Sequence, residues 1–417
     1  MVKKIVFACI FLLTIVSFAQ TEAEITPPFN IKTITFVQNR GNVFPVFHLG
    51  ETFQLQFDDL NGNEANYYYQ IVHCDYDWKP SQLSKAEYLR GFDDLRIQNY
   101  TNSFNTLQPY SHYELNIPNQ YTQLRVSGNY MLKVLDEDRE VVFSKKFILY
   151  EDLVKVPTLI KTVRNFEYLY KKQNVEFAIN PDKFLFQNPL TNVKVLLMQN
   201  GKFYNSITDI RPQYTIGNDL IYKYTTETQF WAGNEFLNFE NKDIRAAAAN
   251  VAKIDPSGAL YSAHLYTNQA RGNSPYTYYP DINGNFVIEN INSSGNPETE
   301  ADYVWIYFTL SAPNYFGKKN IYVNGMFNNY AVGEENKMEY NEKRGLYEKA
   351  ILIKQGFTNF QYVIADEKGK IDEENALDGN YNTTENIYFV LAYYRGSNQR
   401  YDRVIGKGTA SSLNISN

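Results

Sequence analysis

The chain has 417 residues, with 40 lysines and arginines against 46 aspartates and glutamates, four histidines and two cysteines. A modestly acidic charge, mixed along the chain, makes nucleic acid and anionic membrane surface poor partners. Two cysteines cannot staple a scaffold of this size, so stability must come from buried cores, and the length allows two or three of them.

The first element is an export signal. Lys3 and Lys4 precede an apolar run from Ile5 to Phe18, and Ser17-Phe18-Ala19 sets small residues three and one before a cut. This is the layout of a signal peptide over residues 1–19, cleaved before Gln20. The run is short for a stable transmembrane helix, which takes about 20 residues. Cys9 lies too far inside it to become a processed lipoprotein terminus. Cleavage removes Cys9, leaves Cys74 alone, and takes the charge to 38 basic against 46 acidic side chains, a net −8. No later segment is apolar enough for a helical span, and no even series of about ten-residue strands suggests a membrane barrel. Direct membrane insertion is not expected.

From there period-two alternation recurs, and 35 tyrosines with 28 phenylalanines suit strands. Most of these aromatics are expected to fill cores and cross-strand pairs. The fold class is all-β: tandem immunoglobulin-like and early-set-like β-sandwich domains with few short helices. In an N-terminal sandwich, residues 20–152, strands are expected at Thr52–Phe57, Tyr67–Val72 and Gly128–Val134, the last turning at Asp136–Asp138 into a hairpin that runs to Leu149. Ser84 and Glu87 have capping-box spacing for one helical turn. A middle β-rich domain, residues 153–299, carries strands at Val175–Ile179 and Val193–Met198, with Pro181 and Pro189 bracketing a loop between them. Arg245–Ala249 is either a short helix or a loop. Asn292–Pro297 reads as the clearest linker. A C-terminal sandwich, residues 300–406, carries strands at Tyr303–Phe308, Leu346–Ile353, Gly356–Val363 and Ile387–Tyr394, and 407–417 reads as a flexible tail. Gly325-Met326-Phe327-Asn328-Asn329-Tyr330 is similar to the turn of early-set, starch-binding-like modules.

Chemistry is sparse. The histidines, His48, His73, His112 and His264, share no metal-ligand spacing. His73-Cys74-Asp75 is the one dense cluster, but neighbours in a strand point to opposite faces and cannot converge on one ion or act as a nucleophile pair. Asp58-Asp59, Asp93-Asp94, Asp136–Asp138 and Glu373-Glu374 are paired acids of the kind that turns leave solvated. Asp281-Ile282-Asn283-Gly284 reads as a hairpin turn more simply than as a calcium loop. No phosphate loop or nucleophile elbow appears. The reading is therefore a non-enzyme without cofactor or metal. Trp78, in Trp78-Lys79-Pro80-Ser81, either docks a partner or packs over the edge of its own sandwich. Arg395, Arg400 and Arg403 either contact a partner or pair with acids inside the C-terminal domain, the second being favoured.

The run from Tyr69 through His73-Cys74-Asp75-Tyr76-Asp77-Trp78-Lys79-Pro80-Ser81 to Leu83 is followed by Glu87–Phe92, Ser103–Leu107 and Tyr110–Tyr113. Further on come Gly233–Phe236, Thr384–Tyr388, Tyr393–Arg395 and Arg400–Gly406. Together, in order and over nearly the whole mature chain, these resemble the type IX secretion system plug proteins of the Bacteroidota. The resemblance implies a periplasmic protein, a monomer within a larger complex, that occludes the periplasmic mouth of a giant outer-membrane β-barrel translocon. The other reading is a periplasmic or surface carbohydrate-binding protein using the starch-binding-like domain, which would need exposed aromatic platforms.

Overall fold

The computed structural model describes residues 21–313 and 317–415. The signal-peptide reading and its cut before Gln20 lie outside the described residues. The described chain is mostly strand with a few helices of one turn.

The N-terminal unit is a sandwich of two five-stranded sheets. Its main strands are β1 (Ile31–Gln38), β2 (Val46–His48), β3 (Phe53–Asp59), β4 (Tyr68–Cys74), β5 (Ser111–Ile117), β6 (Gly128–Leu135) and β7 (Val141–Tyr150). One sheet centres on β1–β3–β5 and the other runs β2–β7–β6–β4. Alternation along β3 sends Phe53, Leu55 and Phe57 inward. There Phe53 stacks on Phe47 and Phe57 on Tyr113. The β6–β7 hairpin turns where the acids sit, with the Asp136 carboxylate accepting the Glu140 N–H. The helical turn α1 (Lys85–Tyr88) has its reciprocal cap, the Ser84 N–H donating to Glu87 at 2.8 Å.

The chain continues through β8 (Thr158–Thr162), β9 (Lys172–Ile179), α2 (Pro189–Asn192), β10 (Val193–Gln199) and β11 (Asp219–Tyr222). It then enters a second sandwich: β12 (Leu237–Glu240), β13 (Ser262–Leu265), β14 (Tyr303–Ser311), β15 (Asn320–Asn324), β16 (Leu346–Lys354) and β17 (Gly356–Ala365). Finally it returns in β18 (Ile387–Tyr394) and β19 (Arg403–Ser411). Strand β18 pairs with β10 on one side and β19 on the other. Val195, Leu197, Val390 and Ile405 close one core with Val175, Phe177 and Ile179. Phe239, Val304, Ile306, Phe308 and Phe360 close another.

The units are therefore not the contiguous ones expected. The cut at 299/300 falls inside one core, because residues from Phe239 to Leu377 pack together. The middle unit is discontinuous, 153–232 plus 386–415, and the third unit is inserted into it. The strand Ile387–Tyr394 leaves the C-terminal sandwich for the middle unit, and β19 carries ordered strand through Ser411, where a flexible tail was expected. Asn292–Pro297 is no linker. Asn296 caps α3 (Pro297–Glu300), and this turn accepts hydrogen bonds from Phe104 and Tyr110 of the N-terminal unit. Arg245–Ala249 is a loop, since alanine propensity without an apolar face gives no helix a core to pack on.

One backbone position fixes the inserted sandwich. Gly356 opens β17 at φ +151°, and a Cβ there would stand 1.8 Å from the Val287 carbonyl oxygen. Gly356→Ala combines that overlap with backbone strain and should lower stability by about 3 kcal/mol, read as a fall in the urea midpoint at unchanged slope.

Candidate functional site: the seams between units

The sheet β10–β18–β19 is covered on both faces. Leu196, Met198, Phe389, Leu391, Tyr393 and Val404 turn away from the middle core and meet Val46 and Ile148 of the N-terminal unit. A sheet buried on both faces needs no polar alternation. That is why Val193–Met198 and Ile387–Tyr394 read as nearly unbroken apolar runs. Polar groups lock the contact: the Tyr76 hydroxyl donates to the Val195 carbonyl at 2.6 Å, and Tyr393 donates to the Asn129 side chain at 2.7 Å.

Trp78 belongs to this seam. Held at φ +62°, it sets its indole edge-on to Phe203 of the middle unit at 5.5 Å, with the Lys146 ammonium 4.3 Å from its ring. Its packing partner is thus another unit of the same chain. The three arginines behave alike. Arg395 reaches Asp75 at 2.5 Å and Asp402 at 3.1 Å; Arg400 pairs with Glu87; Arg403 forks onto Glu151 at 2.8 and 3.0 Å. Pairing inside the C-terminal domain was favoured from sequence. Asp402 is such a partner, but Asp75, Glu87 and Glu151 all belong to the N-terminal unit, because β18 and β19 lie against it. Charge reversal tests the fork. Arg403→Glu should lower stability by about 2 kcal/mol, and Glu151→Arg in the same chain should recover most of it in a double-mutant cycle read by urea unfolding.

His73 and Cys74 diverge on β4. The imidazole lies among Tyr88, Tyr130 and Tyr401, with Nδ1 2.8 Å from the Ser81 hydroxyl, and burial lowers its pKa to about 4. Burial pushes the Cys74 thiol up to about 12, which keeps it protonated and unreactive.

A second seam joins the N-terminal unit to the inserted one, and sequence reasoning missed it. Asp58, read as a solvated turn acid, is the penultimate residue of β3, with its side chain 0 % exposed. Its carboxylate receives Lys354 Nζ at 2.5 Å, the Tyr303 hydroxyl at 2.6 Å and His112 Nδ1 at 2.6 Å. The Lys354 ammonium also donates to the Glu298 carbonyl and stands 4.2 Å from the Tyr110 ring centroid. Burial opposes ionisation of Asp58, but Lys354 and His112 outweigh it and hold the acid below its ordinary range. Burial likewise disfavours the imidazolium, yet Asp58 and then Glu114 outweigh it and raise the His112 pKa to about 9. The one available sequence signal was a lone lysine closing the apolar run Ile351–Ile353.

The sign of the His112 effect follows from linkage. A raised folded pKa gives stability that is complete below the unfolded value of about 6.5 and is lost as pH rises through about 9. The full effect is about 3 kcal/mol. His112→Gln should flatten the fall in urea midpoint between pH 6.5 and 9.

The third seam is the neck where the insertion leaves and returns. The Thr384 hydroxyl donates to the Gly233 carbonyl at 2.9 Å, and Glu235 accepts the Glu385 N–H at 2.9 Å. Asn386 bridges Gln173 and Asn200 at 3.0 and 2.8 Å. Two of the segments singled out in the sequence, Gly233–Phe236 and Thr384–Tyr388, thus meet here. Lys202 lies buried beside a cavity of about 60 Å³, near the rings of Phe236, Tyr330 and Tyr204, and burial lowers its pKa to about 8. Among the described residues no three His, Cys, Asp or Glu side chains come together as a metal site. Asp281 accepts the Phe236 and Asn283 N–H groups, as a turn residue does.

These seams define a multi-unit β protein whose polar and aromatic side chains at the junctions hold its own parts together. A family model described as the type 9 secretion system plug protein 1st domain matches residues 31–151, which is the N-terminal unit from β1 to the end of β7. A solved structure of a hypothetical protein from Parabacteroides merdae is 32 % identical, with a TM-score of 0.88, over 94 % of this chain and 100 % of that one. No curated protein matches. The chain belongs to the type 9 secretion system plug protein family.

Proposed function

We propose that the mature chain is a non-catalytic periplasmic plug, a monomer that seals the periplasmic opening of the giant outer-membrane β-barrel translocon of type IX secretion. Family membership supplies the system. The observation that carries the sealing role is the both-faced burial of β10–β18–β19, which welds the N-terminal and middle units into one body. A stopper for a wide aqueous pore must not flex apart, and a central sheet shared by two cores resists that. Trp78, Arg395, Arg400 and Arg403 are engaged within the chain, where they join the N-terminal and middle units.

Affinity purification of the tagged protein from native membranes should recover a very large outer-membrane barrel. Deletion of the gene should admit large antibiotics wherever the translocon is assembled. Recovery of soluble proteins alone, or unchanged permeability in a strain with a confirmed open pore, contradicts the reading. For the carbohydrate alternative, the turn residue Tyr330 is half-buried beside Lys202 at the neck, and Tyr266, Tyr278 and Tyr279 are the exposed aromatics that it would have to use.

A further inference from the structure

The modest whole-chain charge conceals a strong segregation by unit. The N-terminal unit, residues 20–152, has 11 lysines and arginines against 18 acids, and the insertion, 233–385, has 13 against 21. The discontinuous middle unit, 153–232 plus 386–417, has 14 against 7, a net +7 between neighbours of −7 and −8. Arg395, Arg400 and Arg403 face N-terminal acids across the seam. Arg164 and Lys171 are exposed and form no ion pair among the described residues.

Both flank one turn, residues 163–171, between β8 and β9. The turn is built rather than loose. Tyr168 packs edge-on to Trp231 at 5.6 Å, and the Lys172 ammonium stands 4.1 Å from both rings. The Tyr168 N–H donates to the Asn165 carbonyl, Lys171 and Lys172 donate to the Tyr168 carbonyl, and Asn382 donates to that of Tyr170. This fixed base presents Phe166, 90 % exposed, and Tyr170, 72 % exposed, to solvent. Glu167 at the tip and Glu374 behind Lys172 are the acids within electrostatic reach.

We propose that the 163–171 turn is a peripheral anchor for an anionic phospholipid surface, with Phe166 and Tyr170 entering the headgroup layer while Arg164 and Lys171 meet lipid phosphates. The commitment to lipid rests on the pairing of two features. Arg164 and Lys171 are unpaired cations on the one unit with a basic excess and are drawn to a negative surface, and an ordered turn that holds two aromatics outward between basic residues suits the interface where ring and charge both find partners. An acidic protein surface would satisfy the charge but would give a fully exposed phenylalanine no apolar layer. The anchor is peripheral and spans nothing. It stands independently of the plug reading, because pure lipid tests it.

The test is co-sedimentation of the mature full-length chain with vesicles of phosphatidylglycerol and phosphatidylethanolamine, and with vesicles of phosphatidylcholine. Binding to the anionic vesicles should be at least about tenfold tighter and should weaken as salt is raised. Phe166→Ser with Tyr170→Ser, and separately Arg164→Glu with Lys171→Glu, should each reduce it at least about tenfold while leaving thermal unfolding unchanged, since all four side chains are exposed. In Phe166→Trp, the emission should shift to the blue with anionic vesicles. Equal binding to both lipids, no binding, or variants that bind like the parent chain overturn the proposal. Loss of translocon co-purification in the variants without any vesicle binding overturns it in favour of a protein partner.

Discussion

Asp58→Ala should be among the most damaging single substitutions in the chain, lowering the unfolding free energy by about 3–5 kcal/mol. Removal of the carboxylate leaves the Lys354 ammonium, 1 % exposed, and the His112 imidazole, 3 % exposed, without their shared buried counter-charge, with Glu114, 3.8 Å from His112 Nε2, as a partner for the imidazole alone. Neither can reach water, so each loses much of what stabilises its charge, and Tyr303 loses its acceptor. The measurement is urea unfolding followed by tyrosine fluorescence and by far-ultraviolet circular dichroism. The control separates the charge from the shape. Asp58→Leu with Lys354→Met and His112→Leu should recover most of the loss, because a buried ionic cluster replaced by apolar side chains of similar volume is often neutral in stability. If Asp58→Ala alone leaves the midpoint unchanged, the cluster is solvated and the second seam is not closed.

The strands were legible because each follows an elementary rule. Alternation at 52–57 and 128–134 places β3 and β6, and the Ser84–Glu87 spacing places α1. The division into units was not legible. Strands β10 and β18 are separated by the whole inserted unit, and no local pattern reports a pairing at that distance. What the sequence did carry was indirect: both strands lack polar alternation, which implies cover on two faces. Of the acids that pair with the arginines near the chain end, Asp402 lies in the expected domain, while Asp75, Glu87 and Glu151 lie in the N-terminal unit, which the return of β18 and β19 brings alongside. Asp58 was misread for a related reason. Alternation past Phe57 assigns it to the outward face of the first sheet, and only the docking of β14 and β16 turns that face into interior. The charge segregation was present in the sequence throughout, but it appears only once the residues are summed by spatial unit.

The other large effect is expected at Leu391, the residue of β18 that faces the N-terminal unit at 0 % exposure. Leu391→Asp puts a carboxylate into a layer bounded by Leu196, Met198, Val46 and Ile148, where its cross-strand neighbour Lys407 already holds its ammonium over the Tyr150 and Phe389 rings. A charge so placed costs several kcal/mol, more than the 2–5 kcal/mol of a buried leucine truncated to alanine. Because Val390 and Ala392 face the opposite core, the strand itself can persist while the layer opens. The expected result is therefore specific. The N-terminal unit should part from the middle unit, and limited proteolysis should cut near residues 151–153, where Glu151 and Leu153 otherwise donate to Val404 and Ile405. Small-angle scattering should show a larger radius of gyration. Leu391→Met, close in volume, should cost less than about 1.5 kcal/mol and leave the digestion pattern intact. The same pair connects stability to the proposed role. If a sealed pore requires the units to act as one body, Leu391→Asp should let large antibiotics through the outer membrane at protein levels where Leu391→Met does not. Intact sealing by an opened Leu391→Asp chain would separate the seam from the function, leaving the weld as a requirement of folding alone.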